Sequence, residues 1–302
     1  MAVHKPPPLA PGARIGVIAP AGAVDAPALL TGVAAIEAQG YVVELAPGIF
    51  HNDGYLAGAA VERARDLAQL FYRDDIAAIL CARGGFGSVQ TLDHLRLDIA
   101  THPKLFVGYS DITILLHWLR ARCAMVTIHG PMVATDLARG LSVRSLEHFW
   151  GMLSGRTRAW SLPLGESIRG GQVEAELTGG CLSMLVTTLG TAYEVDCRGK
   201  ILFLEDVGEA PYRVERMLWH LKMAGKLDHL AGVVFGDFTD CVGPGPRDLH
   251  AVICDLFGQA PYPVVMGLSA GHGAENLALP FGVKMRLDGG RATLAMLESP
   301  VS

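Results

Sequence analysis

The sequence lacks the features that mark several large classes of protein. None of its six cysteines forms a C-x-x-C pair, which excludes the usual zinc and dithiol motifs. It contains neither H-E-x-x-H nor G-x-x-x-x-G-K-[ST], so neither a zinc protease of that type nor a P-loop is indicated. No uncharged apolar run reaches the roughly 18 residues needed to cross a bilayer. The formal net charge is only −5, with acids and bases interspersed, which argues against nucleic acid or an anionic membrane as the main partner.

Aromatic residues are also scarce, at 7%, but hydrophobic residues make up 50% of the chain, which is enough for a sizeable core. A length of 302 residues suggests two domains. The N-terminus is rich in proline where a signal peptide would carry its apolar segment. We therefore expect a cytoplasmic protein whose cysteines are free and mostly buried thiols.

Short apolar runs alternate with helical patterns through the first half of the chain. Continuous apolar strands separated by helices are typical of a parallel sheet buried on both faces. The predicted strands are 14–19, 41–45, 76–81, 105–109 and 124–128, and the predicted helices are 26–39, 58–72 and 111–122.

The second half has a more mixed pattern. Its predicted strands are 173–177, 201–205, 230–235 and 263–267, with helices at 180–189 and 212–223 and a hairpin over 285–296. We predict an α/β protein with a doubly wound parallel-sheet N-terminal domain (1–137) and a smaller mixed, β-rich α/β C-terminal domain (171–302). Residues 138–170 interrupt the alternation of strand and helix patterns and are predicted to connect the two domains, with a helix at about 143–154.

Two predicted strands of the first half end in loops that could carry chemistry. The glycine-rich loop 82–88 could let backbone N–H groups approach an anion, although the glycines alone favour an ordinary turn. Ser110 stands where an apolar strand runs directly into a helix. Such a bend exposes a serine hydroxyl beside free N–H groups, as in a nucleophile, but serine is equally common as a helix N-cap.

A serine nucleophile needs a base and a group that orients the base. The chain has eleven histidines, of which His117 and His220 fall inside predicted helices. Two histidines in loops are the leading candidates for the base. His129 precedes Gly-Pro, and His272 is flanked by glycines after a buried strand. Glu205 and Asp206 end an apolar strand, where a carboxylate is costly unless it is paired; a role in capping the next helix is an equal alternative.

Taken together and in order, these motifs resemble those of the serine LD-carboxypeptidases, also called muramoyltetrapeptide carboxypeptidases. The resemblance runs through most of the chain. The matching segments are IGVIAPAG (15–22), YLAG (55–58), ERARDL (62–67), ARGGFG (82–87), GYSDIT (108–113), HGPM (129–132), LEDVGEAPY (204–212) and GHG (271–273).

The resemblance implies a catalytic triad of Ser110, Glu205 and His272, with the backbone N–H groups of Gly85 and Asp111 as the oxyanion hole. It implies removal of the terminal D-alanine from murein tetrapeptides in peptidoglycan recycling. It also implies that the enzyme needs no cofactor and is a cytoplasmic homodimer. We predict no metal site.

Two positions leave substrate recognition open. Cys181 stands where the family pattern leads us to expect asparagine in Gly-Gly-Asn-Leu, so specificity can differ. Arg83 is a candidate for binding the substrate carboxylate, although bracing the glycine loop is the favoured role.

Two other functions compete with this one. A related group of peptidases inactivates the peptide–nucleotide microcin C with the same triad, but no insertion or aromatic extension for a nucleotide is evident in the second half. A non-enzymatic binding protein with two α/β lobes would explain the architecture, and it would leave the ordered Ser, Glu and His motifs as coincidence.

Overall fold

The structure is a computed structural model that describes residues 3–95, 103–244 and 247–302. The chain divides into two compact units. The first comprises residues 1–157, 276–280 and 300–302, and the second comprises residues 158–275 and 281–299. Within the described residues, none of the helices has the length and apolar character needed to cross a membrane.

The first unit is built on a six-stranded sheet. Its strands are β1 (Arg14–Ile18), β2 (Val42–Leu45), β3 (Ile76–Cys81), β4 (Leu105–Gly108), β5 (Thr127–His129) and, from late in the chain, β12 (Leu279–Phe281). The spatial order is β12-β5-β4-β3-β1-β2, and the neighbours among β1 to β5 pair in parallel. Because β3 and β4 are almost continuously buried, their apolar runs were readable as strands of a parallel sheet.

The helices of this unit are α1 (Ala26–Glu37), α2 (Ala60–Tyr72), α3 (Ser88–Leu92), α4 (Thr113–Cys123) and α5 (Val143–Leu153). The strand order reverses direction between β1 and β3. In doubly wound folds the loops at the carboxyl ends of the strands around such a switch point form the ligand site. In this sheet those loops are the ones after β1, β3 and β4.

The second unit contains an eight-stranded mixed sheet in the order β6-β14-β13-β8-β9-β10-β11-β7. Strands β8 to β11 are parallel, and the strands flanking them pair antiparallel. The strands are β6 (Trp160–Pro163), β7 (Glu166–Arg169), β8 (Gln172–Cys181), β9 (Ile201–Val207), β10 (Gly232–Thr239), β11 (Val264–Met266), β13 (Lys284–Asp288) and β14 (Thr293–Met296). Its helices are α6 (Leu182–Thr187), α7 (Pro211–Met223) and α8 (Leu249–Phe257). Buried side chains of all three helices pack with strands β9 to β11 into one apolar core.

The predicted fold class is confirmed: a doubly wound parallel-sheet part and a mixed, β-rich α/β part. The predicted domain limits at residues 137 and 171 do not coincide with the two units. Helix α5 belongs to the first unit, because Trp150 packs against Tyr41 with ring centroids 5.0 Å apart and the Leu9 N–H donates to the Leu153 carbonyl. The remainder of the predicted connection forms β6 and β7 of the second unit.

Several elements depart from the predicted limits. The strand predicted at 124–128 begins only at Thr127, because Ala124 takes a left-handed conformation (φ +50°) that ends α4. Strand β8 extends to Cys181, and the predicted helix at 180–189 shortens to α6. Helices α3 and α8 and strands β6, β7 and β12 were not predicted.

Candidate active site

Ser110 lies at the junction between β4 and α4. A single turn of 3-10 helix, Ser110–Ile112, joins the two elements. Ser110 has φ +61°, a left-handed conformation that is uncommon for a residue other than glycine and costs about 1–3 kcal/mol. Ser110 is the first residue of this turn, and the N-cap position of α4 is taken by Ile112. The geometry therefore favours a strained strand-to-helix bend over the alternative of a helix N-cap.

The glycine-rich loop after β3 lies directly against Ser110. A Cβ atom on Gly84 would be 2.8 Å from the Ser110 Cβ and 2.9 Å from its Oγ, so only glycine leaves room for this approach. The Gly84 carbonyl accepts a hydrogen bond of 3.0 Å from the Gly22 N–H, which ties the loop to the one after β1. The next residue, Gly85, is exposed and has φ +101°. The loop and Ser110 are thus neighbours in the first unit.

The Asp111 side chain holds the far end of the same loop. Its Oδ2 accepts a hydrogen bond of 2.9 Å from the Ser88 N–H. Burial raises the pKa of Asp111, while the Ser88 hydrogen bonds and the charge of Arg63 oppose that shift. Its backbone N–H stands at the start of a helix, where amide groups have no intrahelical acceptor.

Two arginines brace the glycine loop. Arg63, which is only 2% exposed, donates to the Gly87 carbonyl (3.2 Å) and to Thr91 Oγ1 (3.1 Å). It lies on the buried face of α2 with Leu67 and Leu70, a helical spacing that could have revealed it in the sequence. Arg83 donates from Nη1 to the Ala23 carbonyl (3.0 Å), which ties its side chain to the loop after β1.

In the second unit, His272 and Glu205 form a short hydrogen bond. The distance between His272 Nδ1 and Glu205 Oε2 is 2.6 Å; the Glu205 side chain is fully buried and that of His272 is 15% exposed. Burial raises the pKa of Glu205, and the hydrogen bond and charge of His272 counteract this. When Nδ1–H donates to the carboxylate, the other ring nitrogen, Nε2, is unprotonated and can act as a base.

The loop that carries His272 fits closely over Glu205. Gly271 has φ +120°, and a Cβ atom there would be 2.5 Å from Glu205 Oε2 and 2.9 Å from its Cβ. Any side chain at 271 would therefore displace the pair. This explains why glycine precedes His272.

Asp206 has a different environment from its neighbour. It is buried, its Oδ2 accepts from the Ser183 N–H (2.8 Å) and its Oδ1 accepts from the Val207 N–H (2.9 Å). It thus satisfies one backbone amide at the start of α6 and one at the end of β9. Of the two candidate carboxylates, only Glu205 contacts His272.

The other candidate histidines have different surroundings. His129 is fully buried, and its ring packs 5.5 Å from that of Tyr109. His117 is buried in α4, and His220 is exposed on α7.

Cys181 pairs in register with Glu205 across β8 and β9. Burial, followed by the charges of Glu205 and Asp206, raises the pKa of its thiol well above the ordinary value. We therefore expect Cys181 to be protonated and unreactive at neutral pH. Across residues 3–95, 103–244 and 247–302, no group of three or more His, Cys, Asp and Glu side chains could hold a metal ion.

The first unit thus contains a serine in a strained conformation, and the second contains a buried carboxylate–histidine pair. Comparison with known proteins specifies the family. Residues 15–130 match the LD-carboxypeptidase N-terminal domain, and residues 174–287 match the LD-carboxypeptidase C-terminal domain. The chain belongs to the LD-carboxypeptidase family and is a peptidase.

Three similar proteins illustrate the relationship. The probable murein peptide carboxypeptidase of Bacillus subtilis is 39% identical over 99% of this chain and 96% of its own. The crystal structure of muramoyltetrapeptide carboxypeptidase from Oxalobacter formigenes is 30% identical, with a TM-score of 0.85 over 94% of this chain and 97% of the other. The microcin C7 self-immunity protein MccF of Escherichia coli is 27% identical over 98% of this chain and 96% of its own.

Proposed function

We propose that this peptidase removes the terminal D-alanine from murein tetrapeptides, with Ser110, Glu205 and His272 as its catalytic triad. The observation that carries the proposal is the 2.6 Å hydrogen bond between His272 Nδ1 and the buried Glu205 carboxylate. Such a bond fixes the imidazole tautomer and stabilises the imidazolium that forms during acyl transfer. The choice of substrate is supported by two relatives, a probable murein peptide carboxypeptidase at 39% identity and a muramoyltetrapeptide carboxypeptidase at 30% identity.

In the proposed mechanism, His272 Nε2 takes the proton from Ser110 Oγ as that oxygen attacks the scissile carbonyl. The N–H groups of Gly85 and Asp111 stabilise the oxyanion. His272 then gives the proton to the leaving D-alanine amine, and water hydrolyses the acyl-enzyme by the same route. The close approach of Gly84 to Ser110 supports this, because Gly85 is the next residue of the same loop.

The free carboxylate of the substrate also needs a cationic partner. We assign it to Arg83, because the guanidinium matches a carboxylate in geometry. Its Nη1 is engaged with Ala23, while its Nε is buried with no acceptor among the described residues. An unsatisfied buried donor in this position supports a role in binding an anion.

The cellular setting follows from the same resemblance. We propose that the enzyme is a cytoplasmic homodimer that acts in peptidoglycan recycling. All six cysteines are free, which supports a reducing compartment. Analytical ultracentrifugation tests the dimer. A microcin-type peptide–nucleotide substrate has less support, since MccF, at 27% identity, is less similar to this chain than the two murein peptidases are.

Covalent trapping tests the enzymatic proposal directly. A fluorophosphonate should label wild-type protein once, and peptide mapping should locate the adduct on Ser110. Ser110→Ala should not be labelled, and His272→Ala should be labelled far more slowly because its serine is not activated. A folded wild-type protein that resists the reagent would favour the competing reading, a non-enzymatic binding protein.

A further inference from the structure

Strand β10 is interrupted beside the candidate histidine loop. Its pairing with β9 places Phe235 opposite Leu204 and Phe238 opposite Asp206, with a shift in register between the two pairs. The residues that fall in this bulge are Gly236 and Asp237. Bulges next to active sites commonly redirect a side chain out of the regular strand alternation.

The bulge directs Asp237 at the loop that carries His272. The Asp237 N–H donates a hydrogen bond of 3.0 Å to the Ala270 carbonyl, which anchors the bulge to this loop. A Cβ atom on Gly273 would be 2.7 Å from the Asp237 Cγ, so the carboxyl group packs directly on the backbone that follows His272. Asp237 is therefore held in place by contacts with both ends of the loop.

The Asp237 carboxylate lacks a counter-charge. It is half-buried, yet within the described part of the chain it forms neither an ion pair nor a side-chain hydrogen bond. Burial alone raises its pKa from 3.8 to about 6, with no cation acting in the opposite direction. A partly desolvated acidic group without a partner is unfavourable in the free protein and is well suited to a cationic ligand.

We propose that Asp237 is a specificity-determining residue that binds the side-chain ammonium of the diamino acid preceding the terminal D-alanine. The inference rests on the proposed function. In a murein tetrapeptide that diamino acid supplies the carbonyl that Ser110 attacks, and its ammonium lies a few carbon atoms away. His272 must reach the same scissile bond, so the carboxylate packed against its loop is suitably located to bind this ammonium. A charge-assisted pair of this kind contributes about tenfold to a hundredfold in specificity.

Two peptides that differ only in whether that amine is acetylated test the inference. One is the tetrapeptide L-Ala-γ-D-Glu-meso-diaminopimelyl-D-Ala, and the other is the same peptide with its side-chain amine acetylated. Wild-type protein should cleave the cationic peptide with a kcat/KM about tenfold to a hundredfold higher. Asp237→Asn should lower kcat/KM for the cationic peptide by that factor and leave the acetylated peptide within about threefold of wild type.

Matched variants separate recognition from other effects. Asp240→Asn removes an exposed carboxylate three residues further along the same segment and should preserve the wild-type preference. Asp237→Ser, a second way of removing the charge, should abolish the preference as Asp237→Asn does. Fluorophosphonate labelling at the wild-type rate verifies that each variant keeps an active serine.

The outcomes distinguish two kinds of failure. Equal cleavage of the two peptides by wild-type protein would overturn the role of Asp237 while leaving the proposed function intact. An equal loss on both peptides in Asp237→Asn would overturn it too, because Asp237 would then act through His272 or the fold. Release of D-alanine from neither peptide would overturn the proposed function and this inference with it.

Discussion

Glu205 and Asp206 are adjacent, buried and acidic, yet their hydrogen bonds assign them opposite roles. Glu205→Gln and Asp206→Asn each replace one carboxylate by an amide of the same shape. We expect the first to remove activity while leaving stability largely intact. We expect the second to reduce stability while leaving the turnover of each folded molecule largely intact.

The magnitude for Glu205→Gln follows from its 2.6 Å hydrogen bond to His272. If the glutamine oxygen faces Nδ1, the hydrogen bond survives but the negative charge that stabilises the imidazolium is lost. If its NH₂ group faces Nδ1, the ring must take the wrong tautomer. In either case kcat should fall by about 10²–10⁴. Because burial raises the Glu205 pKa, its ionised form destabilises the fold at neutral pH, so the neutral variant should be no less stable.

The magnitude for Asp206→Asn follows from its two backbone partners. Each carboxylate oxygen accepts from one amide, Ser183 N–H or Val207 N–H. Asparagine has one acceptor oxygen, so one of these amides must face an NH₂ group. Both hydrogen bonds are only part-buried, so leaving one of these donors unsatisfied should cost about 1 kcal/mol in the free energy of unfolding.

The assay is kcat for D-alanine release at equal folded concentration, together with urea unfolding of both variants. The reasoning is refuted if Glu205→Gln turns over within about threefold of wild type. It is equally refuted if Asp206→Asn is inactive at wild-type stability.

Three further predictions concern the two candidate histidines, the glycine before His272, and Asp237. His272→Ala should lower kcat/KM by on the order of 10⁴–10⁶, whereas His129→Ala, which removes a buried ring, should lower stability and keep most of the activity. Gly271→Ala should lower kcat at least about a hundredfold, because its Cβ would be 2.5 Å from Glu205 Oε2, while Gly170→Ala, where nothing lies within 4 Å, should be silent. The stability of wild type relative to Asp237→Asn should fall as pH rises from about 4 to about 6, because the folded-state pKa of Asp237 is raised from 3.8 to about 6.

Each of these has a clear contrary result. An active His272→Ala with an inactive His129→Ala would exchange the roles of the two histidines. Equal kinetics for Gly271→Ala and the Gly170→Ala control would show that the loop does not hold the carboxylate–histidine pair. A pH–stability difference between wild type and Asp237→Asn that rises with pH over this window would mean that the Asp237 carboxylate gains a cationic partner.

Much of the architecture could be predicted because its strands are apolar and continuous. Strands β3, β4 and β9 are buried nearly throughout, so composition alone marked them. Strand β7 could not be found in this way. It is polar and largely exposed, and it forms because its backbone pairs with β11 at the edge of the sheet.

The candidate site was partly predictable for a similar reason. The alternation of side chains along β9 implied that only one of Glu205 and Asp206 could face a given histidine, and the contact with His272 selects Glu205. The sequence pattern predicted neither the left-handed conformation of Ser110 nor the direction in which the Asp237 side chain points. The first depends on the packing of the glycine loop, and the second depends on a shift in strand register.

The most direct test of the central claim is mass spectrometry of a murein tetrapeptide incubated with the purified protein. Wild-type protein should convert the peptide to the tripeptide with release of one D-alanine and no other product. Ser110→Ala, at the same concentration and equally folded, should leave the tetrapeptide intact. Release of D-alanine by Ser110→Ala at the wild-type rate, or no release by the wild-type protein, would contradict the account.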